Sequence, residues 1–329
     1  MPFSLNLFSR RGRSALLPAM LLTSMSCLAA GYPEKPVRIV TPFPTNSVTD
    51  VLARPIAAKL TEAWGQTVIV DNRSGTAGML GTELVAKAAP DGHTLLMGTN
   101  ATHAINPGLF KNLSYDPVRD FAPITLVATS YLLLVVNAGV PANTVRELVA
   151  MAKAKPGKMT YGSAGSGSSP HLAAELFKTM AGIDFLHVPY KGSPQILIDV
   201  LGGRIDVYFS NAAVALPQVK SGKLKLLGVT GAKREATLPD VPTVSEAGVP
   251  DFEATSWFGM YAPARTPTDI IARVNADIVR IVAMPEVKKQ FDDFSLTAST
   301  STPAEFGAFG RRELEKWTRV VKASGAIAE

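Results

Sequence analysis

Two hydrophobic periods alternate along the chain. Short runs rich in Val, Ile and Leu, such as VRIVTPF (37–43), TVIVDN (67–72) and TLLMGT (94–99), have the make-up of buried strands. Between them apolar residues recur at helical spacing, as at Leu52, Ile56 and Leu60, and again in MLGTELVAKAA (79–89). Pro55 limits how regular the first of these helices is in its early turns. The alternation restarts with YLLLVVNA (131–138), a helix beginning near Thr144, and MTYGSAG (159–165). A helix over 168–182, with a serine cap and Pro170 in its first turn, leads to DFLHVPY (184–190), RIDVYFSN (204–211) and LKLLGVT (224–230). EATSWFGMYAPA (253–264) follows, then two or three helices, the last amphipathic over 301–325 and ending at Gly325. Strands separated by helices predict βαβ units and a mostly parallel sheet. The restart predicts an α/β protein of two lobes, the second inserted in the first. The chain is expected to cross between them near residues 130 and 250, with a ligand cleft at the carboxyl ends of strands.

Composition narrows the class. The 329 residues are 47% apolar and 18% charged, enough for two cores and too little charge for a nucleic-acid surface. No basic run of five follows the N-terminus. There, SRRGR precedes SALLPAMLLTSMSCLAAG, the layout of a signal peptide over residues 1–30. Export by the general or the twin-arginine route fits it. Without Arg10, Arg11 and Arg13 the formal charge falls from +6 to +3. Cys27, the sole cysteine, lies inside this leader and lacks the leucine three residues earlier that lipidation favours. The exported chain then has no disulfide and no thiol chemistry.

Catalytic motifs are missing. There is no G-x-S-x-G elbow and no G-K-[ST], and Pro170 stands where a third glycine would complete Gly165-x-Gly167. His171 and Glu175 share one helix face, a spacing more often found in packing than at a metal. His187, in an apolar strand, reads as a core or rim residue. No catalytic residue, metal or cofactor is expected. What recurs is a strand running into small polar residues: PTNSVTD (44–50), NRSGTAG (72–78), GTNATH (98–103), GSAGSGSS (162–169) and SNAA (210–213). Hydroxyls, amides and free helix-start N–H groups on one edge suit a small anion held by neutral donors and water.

The chain resembles a known family at this point. YPEKPVRIVTPFP, GTELVAKAAPDGHTLLMGT, YGSAGSGSSPHLAAELF, VPYKGSPQ and LPDVPTVSEAG look like the Bug-type solute receptors, the extracytoplasmic binding proteins of tripartite tricarboxylate transporters. The resemblance implies a type II periplasmic-binding-protein fold, with lobe 1 formed by 31–130 and 252–329 and lobe 2 by 131–251. It implies a periplasmic, monomeric receptor for a di- or tricarboxylate or an aromatic acid, partnered by the transporter's membrane components. The same clamp also serves a sensor kinase partner. A secreted serine hydrolase using the GSAGSGSS loop is the enzyme alternative.

By the same resemblance, Thr45, Asn46 and Ser47 donate to a ligand carboxylate and Asp50 caps the next helix. Gly75, Thr76 and Ala77 form the opposing wall. Ser163, Gly165, Ser166 and Ser168, with His171 nearby, face the distal end. Tyr190, Gly192, Ser210 and Asn211 complete lobe 2, while Phe43 and Trp257 are either apolar walls or core. Two departures stand out: Asn46-Ser47 replace the family's Gly-Gly, and Ser210 replaces an acidic residue, which argues against an amino-acid ligand.

Overall fold

Eleven strands and ten α-helices occur among the residues described by the computed structural model, which are 1–4, 31–165, 168–190, 193–235 and 237–325. Most of the expected leader, Ser166 and Gly192 lie outside them. The chain divides into two compact units, Met1–Tyr32 and Pro33–Glu329. Every regular element falls in the second.

In chain order these are β1 (Val37–Thr41), α1 (Val48–Trp64), β2 (Val68–Asn72), α2 (Met79–Ala86), β3 (Thr94–Thr99), α3 (Asn106–Leu109), β4 (Phe121–Ser130) and β5 (Leu132–Asn137). Then come α4 (Val145–Ala154), β6 (Thr160–Ser163), α5 (Ser169–Ala181), β7 (Leu186–Pro189), α6 (Ser193–Leu201), β8 (Val207–Asn211), α7 (Ala212–Lys220) and β9 (Leu224–Val229). The chain ends with β10 (Ser256–Pro263), α8 (Thr268–Val282), α9 (Pro285–Asp293), β11 (Thr297–Ala298) and α10 (Pro303–Ser324).

The strands form two sheets. The first has the order β11-β4-β10-β3-β1-β2 and the second β7-β6-β8-β5-β9. β1, β2 and β3 are parallel, as the βαβ pattern predicts, and so are β6, β7 and β8. β4 and β10 pair antiparallel, as do β5 and its neighbours β8 and β9. The chain therefore passes between the sheets twice, at Ser130–Leu132 and between Val229 and Ser256. Ser130 and Ser256 sit opposite one another in the β4–β10 ladder, so both crossings run side by side.

Sequence periodicity does not reveal β4, α3, α6 or α7. β4 reads FAPITLVATS, and Pro123 interrupts it. Proline cannot donate to a ladder. The pairing accommodates it with a register shift between Met260 and Tyr261, where Tyr261 meets Pro123. Elsewhere the local signals hold. Thr144 caps α4, and Thr302 and Glu305 form a reciprocal capping box on α10. α1 runs through Pro55 and stops at Gly65, which is left-handed at φ +64°.

One buried apolar cluster joins both sheets. It runs from Val40 and Leu96 through Trp317, Val320 and Val321 of α10 to Leu172 and Phe177 of α5 and Leu134 and Val136 of β5. Trp257 belongs to this core: it is fully buried, packs edge-on against Phe306 and Phe309, and donates from Nε1 to Glu313 Oε2 at 3.0 Å. Its strand neighbour Gly259 lies so close to Phe306 that an added Cβ would stand 2.0 Å from the ring. No described helix is long and apolar enough to cross a membrane.

Candidate ligand-binding site

Residues beyond the carboxyl ends of β1, β3, β6 and β8 border a cavity of about 310 Å³. From the β1 side come Phe43, Ser47, Val48 and Thr49, and from the end of β3 come Thr99, Asn100 and Ala101. The second sheet contributes Ser169 and Asn211. The crossover strands contribute Ser130, Ser256 and Phe258. None of these side chains is charged.

Three helices begin at the cavity. Ser47, Ser168 and Asn211 are the N-caps of α1, α5 and α7, and none makes a side-chain capping bond. Helix starts leave N–H groups without intrahelical partners and carry partial positive charge. Their convergence favours an anion without any lysine or arginine. Ser169 Oγ and Ser256 Oγ lie 3.2 Å apart, tying the start of α5 to the crossover.

The β1–α1 loop is held from below. Asn46 is left-handed at φ +64°, a conformation that asparagine tolerates better than most residues. Its N–H donates to Asp50 Oδ2 at 3.0 Å, and the Ser47 N–H donates to Pro44 O at 3.1 Å. The N–H groups of two of the three residues expected to meet a ligand are thus spent within the loop. Asp50 is buried and also accepts from Arg54 Nε and Nη2, both at 2.8 Å, and from Asn72 Nδ2 at 3.0 Å. Asn72 further reaches Thr41 Oγ1 and Phe43 O, at 2.6 and 3.2 Å. Burial pushes the Asp50 carboxyl up, but bonds from Arg54, Asn46 and Asn72 outweigh it and hold the group below the ordinary carboxylate value. Asp50 is the third residue of α1, three past the N-cap Ser47, and anchors the loop.

The remaining expected residues divide by direction. Phe43, Ser47 and Asn211 border the cavity. Thr45 and Asn46 are exposed on the loop and do not line it. Gly75, Thr76 and Ala77 are exposed, and the turn they open packs through Gly78 toward Phe43 and Thr102. Ser210 is fully buried in β8, because side chains alternate along a strand and its neighbour Asn211 takes the outward position. Ser168 is turned back to Gly165 O at 2.7 Å, leaving Ser169 at the cavity. Tyr190 donates from its hydroxyl to Asp199 Oδ2 at 2.7 Å, away from the cavity.

Ser163 and His171 belong to a buried cluster behind this wall. Ser163 Oγ lies 2.6 Å from His187 Nε2, and His187 stacks on Tyr161 and lies 4.4 Å, ring to ring, from His171. Tyr161 donates to Glu175 Oε1 at 2.6 Å, and Lys178 donates to the same oxygen at 2.9 Å. His171 and Glu175 thus serve packing. The Ser163–His187 distance suits a nucleophile and its base, but Ser163 is fully buried and does not line the cavity. Gly165, at φ +104°, accepts from Ser163 and Ser168 and turns the chain between them. Burial, with His187 nearby, pulls the His171 imidazole down from 6.5 to about 4. A lowered folded value contributes stability that is whole above pH 6.5 and is lost as pH falls toward about 4. His171→Phe should flatten that part of the acid-unfolding curve, read by denaturant melts across the window.

Sequence reasoning placed Val48, Thr49 and Ser169 only within candidate loops and did not name Ser130, Ser256 or Phe258. The run Thr99–Ala101 was visible as a small polar loop. Nothing in a single chain shows that the crossover strands border the same space.

Comparisons with known proteins agree with the expected family. A model of the family described as Tripartite tricarboxylate transporter family receptor matches residues 52–326. Protein BugT of Bordetella pertussis is 34% identical over 296 residues, covering 90% of this chain and 91% of its own. Among solved structures, R. palustris Rpa4515 with adipate is 36% identical with a TM-score of 0.71, covering 89% of this chain and 98% of that one. MatC from Rhodopseudomonas palustris with bound malate is 30% identical with a TM-score of 0.68, covering 88% and 100%. The fold is that of the two-lobed periplasmic binding proteins.

Proposed function

The chain belongs to the tripartite tricarboxylate transporter receptor family, and on that premise we propose that it captures a small carboxylate in the 310 Å³ cavity and delivers it to the membrane components of such a transporter. The observation that carries this reading is the convergence of three uncapped helix starts on a space lined by hydroxyls, amides and two phenylalanines but no charged side chain. A carboxylate is satisfied there by N–H and O–H donors, and Phe43 and Phe258 receive the carbon chain. The carboxylates in the related structures, adipate and malate, support the class.

The lobes are 31–130 with 252–329, and 131–251, working as one monomer. Residues 1–30 direct export. Ligand touching both lobes shifts the population toward the closed arrangement, which the membrane partner reads.

A melting-point screen tests the reading. Adipate, malate, citrate, benzoate and glutamate are compared with a neutral sugar. A binding acid at about a hundredfold over its Kd should stabilise by ~2.7 kcal/mol. A shift from the sugar and from none of the acids would remove carboxylate binding.

A further inference from the structure

The crossover strands split the space between the sheets. Ser130, Ser256 and Phe258 face the ligand cavity, whereas Thr129, Tyr131 and Thr255, at alternate positions, face a second cavity of about 650 Å³. β4 and β10 lie between β3 and β11 in their sheet, so the ligand cavity sits over β1 and β3 and the second cavity over β11. Each is bounded by residues of both sheets' halves. Around the second these include Leu296 and Thr297 on one side and Lys233 and Glu235 on the other. A rotation about the crossover that narrows one cavity widens the other.

One bond spans the second cavity's two sides. Thr297 Oγ1, on β11, donates to Glu235 Oε2, beyond β9, at 3.4 Å. We propose that this bond holds the second cavity narrow, so that Thr297 sets the lobe angle and changes that widen the second cavity draw the ligand cavity closed. The surroundings favour such a balance. Burial lifts the Glu235 carboxyl above its ordinary value, and the Thr297 hydroxyl works against that lift. Without the hydroxyl, hydration of the carboxylate pulls the two sides apart. Lys233, Glu253, Asp292 and several hydroxyls also border the space and offer partners to water that enters as it widens.

This inference rests on assigning the ligand to the first cavity, and its test uses no ligand, so the two can fail separately. With Cys27→Ser, spin labels at Leu80→Cys on α2 and Ile198→Cys on α6 would be carried on the only thiols, at exposed positions on the β1 and β6 side of the crossover. Thr297→Val removes the bond at nearly constant shape, and Thr297→Trp also wedges the cavity. In the unliganded protein the wedge should raise the short-distance population by about threefold or more, and the valine should move it the same way by less. Unchanged melting behaviour excludes unfolding as the cause. A distance distribution that stays put, or lengthens, in the folded wedge variant overturns the proposal.

Discussion

Asp50→Ala should lower stability by about 3 kcal/mol and weaken carboxylate binding at least ~10-fold. The carboxylate takes four bonds, from the Asn46 N–H, two Arg54 nitrogens and the Asn72 amide, within a site that is 1% exposed. Its loss takes away the fixed partner of the Asn46 N–H and frees a left-handed residue to relax. Asn72 would keep Thr41 and Phe43 and its longer contact from Arg54 Nη2, at 3.4 Å, but lose its bond to Asp50. Since Phe43 and Ser47 border the ligand cavity, the loop's relaxation reaches the ligand directly. Arg54 is half-exposed, so the ion pair itself contributes little, and most of the loss comes from the unsatisfied loop. Asp50→Asn keeps the shape and an acceptor and should lose less. Denaturant melts and calorimetry on both variants separate these contributions. Full affinity in a folded Asp50→Ala protein would show that the loop does not set the site.

Glu313→Ala should be the more damaging change to stability, by about 3–5 kcal/mol. The Glu313 carboxylate accepts from Trp257 Nε1 at 3.0 Å and Trp317 Nε1 at 2.9 Å, pairs with Lys316, and is 5% exposed. Removing it leaves two buried indole donors unpaired and opens a void between α10 and the crossover strand. Trp257 lies between Ser256 and Phe258, both at the cavity, so binding should fall with stability. Glu313→Gln retains an oxygen that both indoles can reach and should recover much of the loss. Equal melting curves for the alanine variant and the parent would sink this account.

How far these features were legible depends on where their cause lies. β1 and β3 were readable because parallel strands buried on both faces form nearly unbroken apolar runs, and the edge strand β2 because its Val-Ile-Val run is β-branched although Ile69 is exposed. The strand-end loops were readable because small polar residues after such runs have few other uses. β4 was not readable, since Pro123 breaks its run and only pairing with β10, far along the chain, makes it a strand. Ser168 and Ser210 do not line the cavity, whereas their neighbours Ser169 and Asn211 do, and of these only Asn211 was among the expected residues. In both, the neighbouring residue faces the cavity, and a phase of one position is set by contacts that no local pattern contains. Ser163 was drawn inward by His187, a partner on another strand.

The uncharged lining of the ligand cavity bears on how this protein meets its surroundings. Recognition by ion pairs over open distance weakens as salt rises, because the Debye length shrinks from about 30 Å at ~0.01 M to about 3 Å at ~1 M. Helix-start dipoles touching an enclosed carboxylate act within a shorter range than any of these lengths. The lining itself then adds no long-range steering, and the strength with which it holds a carboxylate is nearly indifferent to the ionic strength of the medium.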